Sequence, residues 1–198
     1  MNKKYLDLTV AFFLIVLAVS TRTIFHIGPN VELVTFSALA GGYFLTNKKL
    51  ALLLPILIML ISDSIIGNTS IFLFTWSAFL VTPILGISLR SNYIQNKLRN
   101  LPEIFRSALL GLGGTTLSII IFYLWTNLGV VVTTAMYPDT FGGLLSSYFN
   151  ALPFLKNQLF GNLIFTPILF ASFQVFLSKK EHENTDWKRM PARNIVHM

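Results

Sequence analysis

Lys48–Asn68, KKLALLLPILIMLISDSIIGN, decides the fold. Two lysines lead into an apolar run, residues 50–66, that is interrupted by one carboxylate, Asp63, and closed by Gly67-Asn68. A hydrocarbon core of about 30 Å takes roughly 20 helical residues, so this reads as a membrane helix. Working outward, further apolar runs fall at roughly 8–21, 33–46, 71–89, 107–125 and 159–177. Lys3/Lys4, Lys48/Lys49, Arg90/Lys97/Arg99/Arg106 and Lys179/Lys180/Lys188/Arg189/Arg193 occupy alternate gaps, and only Arg22 and Lys156 occupy the others. Basic residues beside short loops stay on the cytoplasmic side, so this partition implies six crossings with both termini inside. The run 33–46 is short for a span and implies a helix that tilts little or ends below the interface.

Composition points the same way. At 54% hydrophobic and 12% charged residues, with mean hydropathy +0.66, a soluble chain of this length would expose large apolar patches. The formal charge of +7 borders membrane segments, which suits anionic lipid headgroups rather than nucleic acid. The chain has no cysteine, which removes disulfides and thiolate chemistry. Segment 1 also fits a cleaved signal peptide, with Leu8–Val19 as its apolar core. Asp7 beside that core argues against cleavage, and the topology of the rest is the same either way. The expected plan is one membrane domain, residues 1–178, and a polar cytoplasmic tail, 179–198.

The outward connections hold the polar residues of interest. The first contains Arg22, His26 and Gly28-Pro29, then Asn30 as a helix cap with Glu32 in the following turn. The second contains Asp63, an acid at the end of an apolar helix, where burial demands a cation partner; Arg22 is the candidate. The third, from Asn127 to Asn157, is long for a hairpin. Within it Val130–Thr134 reads as extended, Pro138-Asp139 as a turn, and 139–152 as a short amphipathic outer-face helix stopped by Pro153. Its apolar stripe, Leu144, Leu145, Tyr148, Phe149 and Leu152, suits a lid. Trp76 and Trp125 fall at the outer interface, where aromatic belts are ordinary and stacking in a pocket is the alternative. Glycines 41, 42, 111, 113 and 114 suit close helix contact. No P-loop, G-x-S-x-G or H-E-x-x-H pattern occurs, no histidine pair stands at metal-ligand spacing, and nothing argues for an enzyme.

Three clusters in the first half, Arg22…Gly28-Pro29-Asn30-x-Glu32, Ala38-Leu39-Ala40-Gly41-Gly42-Tyr43-Phe44 and Pro55…Leu60-Ile61-Ser62-Asp63…Gly67, resemble the substrate-binding S component of energy-coupling factor transporters, the bacterial vitamin-uptake systems. Trp125–Val130, Tyr137-Pro138…Gly142-Gly143-Leu144 and Ala151-Leu152-Pro153-Phe154…Asn157…Gly161-Asn162 resemble an uncharacterised S-component-like family of bacterial membrane proteins. The resemblance covers residues 10–175. It implies an all-α, six-helix protein of the bacterial cytoplasmic membrane that binds a small vitamin-like molecule on its outer side. It further implies coupling to a transmembrane T component and two ATPases; from the residues themselves we expect no cofactor and no metal. S components commonly carry small residues four apart on helix 1. Here Ala11 is followed by Ile15 and then Ala18, which leaves a solitary transporter open beside the coupled one.

The expected site lies under the lid. Arg22, His26, Asn30, Glu32, Asp63, Asn127, Asn150 and Asn162 would contribute polar groups, and Trp76, Trp125 and Tyr137 would stack. With neither sign of charge dominant, a zwitterion or neutral heterocycle fits better than a polyanion. A cell-envelope scaffold would need no roofed pocket, and an intramembrane enzyme would need Asp63 coupled to a second titratable group.

Overall fold

A computed structural model of the chain describes residues 3–25 and 32–189, with side chains to residue 180. The described residues form seven helices and no strand: α1 Lys3–Thr23, α2 Val34–Phe44, α3 Lys48–Ile66, α4 Phe72–Leu89, α5 Asn92–Lys97, α6 Glu103–Thr133 and α7 Phe141–Arg189. Five of them, α1, α3, α4, α6 and α7, are long and apolar enough to cross a membrane, the anatomy of a multi-pass membrane protein. Leucine, isoleucine and phenylalanine cover their outer surfaces, as at Phe12, Leu53, Leu73, Leu117 and Ile168. Their polar residues turn inward, since apolar side chains lose nothing by facing lipid.

α2 is the centre of the fold. Its residues Val34 to Tyr43 are all buried, and an 11-residue helix that is apolar all round has to sit among other helices. It runs antiparallel to α1. At one end the Leu33 amide donates to Thr21 Oγ1 at 3.3 Å. At the other, the Asp7 carboxylate accepts from the amides of Thr46 (3.1 Å) and Asn47 (2.9 Å) and from the Thr46 hydroxyl. Asn47 then caps α3 by accepting from the amides of Lys49 and Leu50. α2 meets α4 backbone to backbone: a Cβ on Gly42 would stand 2.2 Å from the Pro83 carbonyl oxygen, and one on Gly86 would stand 2.3 Å from that of Leu39. Only glycine permits this crossing.

The basic residues gather at one end of the bundle. Lys3/Lys4 and Lys48/Lys49 flank the Asp7 contact, Arg90 donates to the Leu45 carbonyl at 2.6 Å, and α5, carrying Lys97, is tied to Tyr43 through Gln95. Arg22, Asp63 and Trp76 lie at the opposite end.

The third connection departs from the sequence reading. Val130–Thr133 is the last turn of α6 rather than extended chain, and α7 starts at Phe141 and runs through Pro153 without a break. The connection shrinks to residues 134–140. β-Branched residues are ordinary in membrane helices, and a proline there is tolerated where neighbouring helices hold the chain. There is accordingly no separate lid helix over 139–152. The stripe is also inverted: Leu145, Phe149 and Leu152 are exposed, while Ser147 and Ala151 are buried, Ser147 against Asn127 of α6. α7 continues helical to Arg189, so the expected tail begins as helix.

Candidate functional site

Arg22, in the last turn of α1, reaches across the end of the bundle. Its Nη2 donates to Asp63 Oδ1 at 2.8 Å and its Nη1 to Glu32 Oε2 at 3.2 Å. Asp63 is held a second time by Trp76 Nε1, which donates to Oδ2 at 2.8 Å. The Asp63 side chain is only 6% exposed and that of Arg22 13%, against 36% for Glu32. Asp63 is thus the buried counter-ion, and Glu32 the accessible one. Both carboxylate oxygens of Asp63 are engaged within the protein. It positions Arg22 and is not among the residues that line the cavity beside it. Arg22 keeps one buried donor, Nε–H, that meets no acceptor among the described residues.

Beside this ion triad lies a cavity of about 410 Å³. Arg22 and Glu32 form its charged wall. α2 and α4 supply Thr35, Thr75 and Phe79, α6 supplies Phe122, Tyr123, Thr126 and Asn127, and Tyr137 closes the far rim. α7 contributes Ser147, Asn150, Ala151, Phe154 and Gln158, one face of a helix over three turns. Polar contacts set that wall rigidly. Ser147 Oγ donates to Asn127 at 3.2 Å, Asn150 Nδ2 donates to the Tyr137 hydroxyl at 3.1 Å, and the Tyr123 hydroxyl donates to the Tyr148 carbonyl at 2.6 Å. The α6–α7 hairpin therefore presents a pre-formed surface of neutral hydrogen-bonding groups and aromatic rings.

Of the residues expected from sequence, Arg22, Glu32, Asn127, Tyr137 and Asn150 line this cavity. Asp63 and Trp76 stand behind Arg22 as its support. Trp125 is not among the lining residues; it is 42% exposed, packs on Phe74 and donates to Ser77 Oγ. Asn162 lies below the cavity, one turn beyond Gln158. His26 and Asn30 lie outside the described residues. Sequence reasoning missed Thr35, Thr75, Thr126, Ser147 and Gln158. The signal was present on α7, where Ser147, Asn150, Ala151, Phe154 and Gln158 recur at helical spacing. The apolar stripe beside them was followed instead, as if water rather than lipid lay outside.

Comparison with curated proteins and with solved structures returns no match. Residues 2–185 match a family of unknown function, DUF6580, and with nearly its whole length matched the chain belongs to that family.

Proposed function

We propose that this protein is a membrane substrate-binding subunit for uptake of a small, vitamin-like molecule, of the kind seen in S components of energy-coupling factor transporters. In this reading the chain crosses the bacterial cytoplasmic membrane six times, α2 being the shortest crossing, with both termini inside and the cavity facing out. The gathering of basic residues at the opposite end supports that orientation.

The observation that carries the proposal is the cavity with Arg22 in its wall. Its 410 Å³ falls in the range of small-molecule sites, and it combines apolar surface with a few fixed polar groups. A scaffold has no use for such a chamber. Arg22 lines the cavity, so a ligand carbonyl or carboxylate fits against its guanidinium. Glu32 offsets the charge, Asn127 and Asn150 read neutral polar edges, and Phe122, Tyr123 and Tyr137 cover a ring. A zwitterion or neutral heterocycle meets all of these.

One observation favours action without a shared energy-coupling module. Ala11 and Ala18 are buried inside the bundle, and the exposed face of α1 is bulky, with Phe12, Phe13 and Val16. The small-residue face that would receive a T component is occupied within the protein. Affinity purification of the tagged protein from native membranes separates the two readings. Stoichiometric ATPase and T subunits support the coupled form, and ligand-loaded protein without them supports the solitary one. Protein with no ligand in either state sinks the binding function.

A further inference from the structure

The polar surface of the cavity does not stop at its floor. α6 and α7 run antiparallel, and one contact fixes their register: a Cβ on Gly111 would stand 2.4 Å from Cγ of Phe170. One turn toward the cavity, four residues on along α6 and four back along α7, Thr115 and Thr166 therefore stand on the same rung of the seam. A further turn along α7 brings Asn162, whose Nδ2 donates to the carbonyl of Gln158 in the cavity wall. All three residues are buried, at 1%, 0% and 2% exposure.

Thr115 Oγ1, Thr166 Oγ1 and Asn162 Oδ1 have no hydrogen-bond partner among the described residues. Helix geometry does not force this. Ser118, Thr126 and Thr133 on α6 each donate to the carbonyl four residues back, an option Thr115 and Thr166 leave unused. At the same depth Pro167 lacks the amide that would serve the Leu163 carbonyl. Orphaned polar groups on adjacent turns of a buried seam are costly unless something satisfies them. The chemistry here suits water. Two hydroxyls donate or accept and one amide oxygen accepts, which meets the few bonds a buried water makes. A bare cation would find neutral oxygens only, since α2 carries no acid and neither do α6 beyond Glu103 nor α7 up to Lys180.

We infer that the α6–α7 seam below the cavity is a hydrated throat, closed at its far end by the Phe170 ring. That ring lies on Gly111 and packs against Phe36, Tyr43 and Phe44 at centroid distances of 5.7, 5.5 and 5.1 Å. It is the plug between the throat and the basic end of the bundle. The inference holds whether or not the cavity takes the ligand proposed above.

The isosteric variants Thr115→Val and Thr166→Val test the water. If the throat is hydrated, each lowers the melting temperature of the purified protein by about 2–4 °C. Variants that melt at or above the parent temperature overturn it, and so does melting raised by sodium chloride but not by choline chloride, which would put a cation there. The absence of cysteine makes the plug testable too. In reconstituted vesicles with a small charged methanethiosulfonate supplied only at the basic end, Thr166→Cys should react several times faster when combined with Phe170→Leu or Phe170→Ala than alone. Equal rates in both backgrounds, with the protein monodisperse, overturn the plug.

Discussion

Asp63→Asn and Glu32→Gln each remove one carboxylate charge facing the same guanidinium, and their effects should fall in opposite order by stability and by binding. Asp63 is nearly fully buried at 2.8 Å from Arg22, whereas Glu32 is a third exposed at 3.2 Å. Breaking a buried pair on one side typically costs about 3–5 kcal/mol. Here Glu32 still faces Arg22, which places Asp63→Asn near the lower end even though the single amide oxygen can accept from only one of Arg22 and Trp76. For a chain of this size about 3 kcal/mol corresponds to a fall of roughly 6–12 °C in melting temperature. Glu32→Gln breaks a solvent-screened pair, costing about 1 kcal/mol or less. Ligand affinity should reverse the ranking, because Glu32 lines the cavity and Asp63 does not. Thermal unfolding in detergent, followed by ligand titration of both variants, reads both orders. Equal melting shifts, or a shift for Asp63→Asn below about 2 °C, would refute the assignment of Asp63 as the buried support of Arg22.

Gly42→Ala drives a methyl group into the Pro83 carbonyl and should destabilise by about 1–3 kcal/mol, whereas Gly113→Ala, which meets nothing within 4 Å, should stabilise by about 0.5–1 kcal/mol; chemical denaturation of the pair checks this. Asp7→Ala orphans three donors at the α2–α3 reversal and should cost about 2 kcal/mol. Asp7→Asn keeps one acceptor oxygen and should cost less, and neither should change ligand affinity. Cysteines placed at the exposed positions Asn68 and Asp139 should react with an impermeant reagent outside intact cells, while those at Lys48 and Lys97 should not; outside labelling of Lys48→Cys would contradict the proposed orientation.

The helical class and the borders of α3 and α4 were legible because hydropathy and charge act locally. Lys48–Ile66 and Phe72–Leu89 begin and end within two residues of the apolar runs. The Arg22–Asp63 pair was legible too, since a carboxylate in an apolar helix requires a cation and few are available at that end. What escaped notice depends on the solvent. Reading Leu145, Phe149 and Leu152 as a buried stripe presumes water outside the helix; with lipid there, the polar face turns inward and becomes the cavity wall. Pro153 misled for a related reason, because a helix that would break in water continues between packed neighbours. The role of Asp7 was hidden for another cause. Its partners, Thr46 and Asn47, come close only after α2 folds back along α1.

The central claim is that the cavity beside Arg22 holds a small molecule, and native mass spectrometry of the protein extracted from its own membranes tests it directly. The wild-type chain should carry one small ligand per protein, lost on gentle activation. Asn150→Trp places an indole from an exposed position into the cavity, and should purify equally folded but without that mass. An identical ligand mass in both proteins, or bare protein in the wild type across mild extractions, would contradict the account.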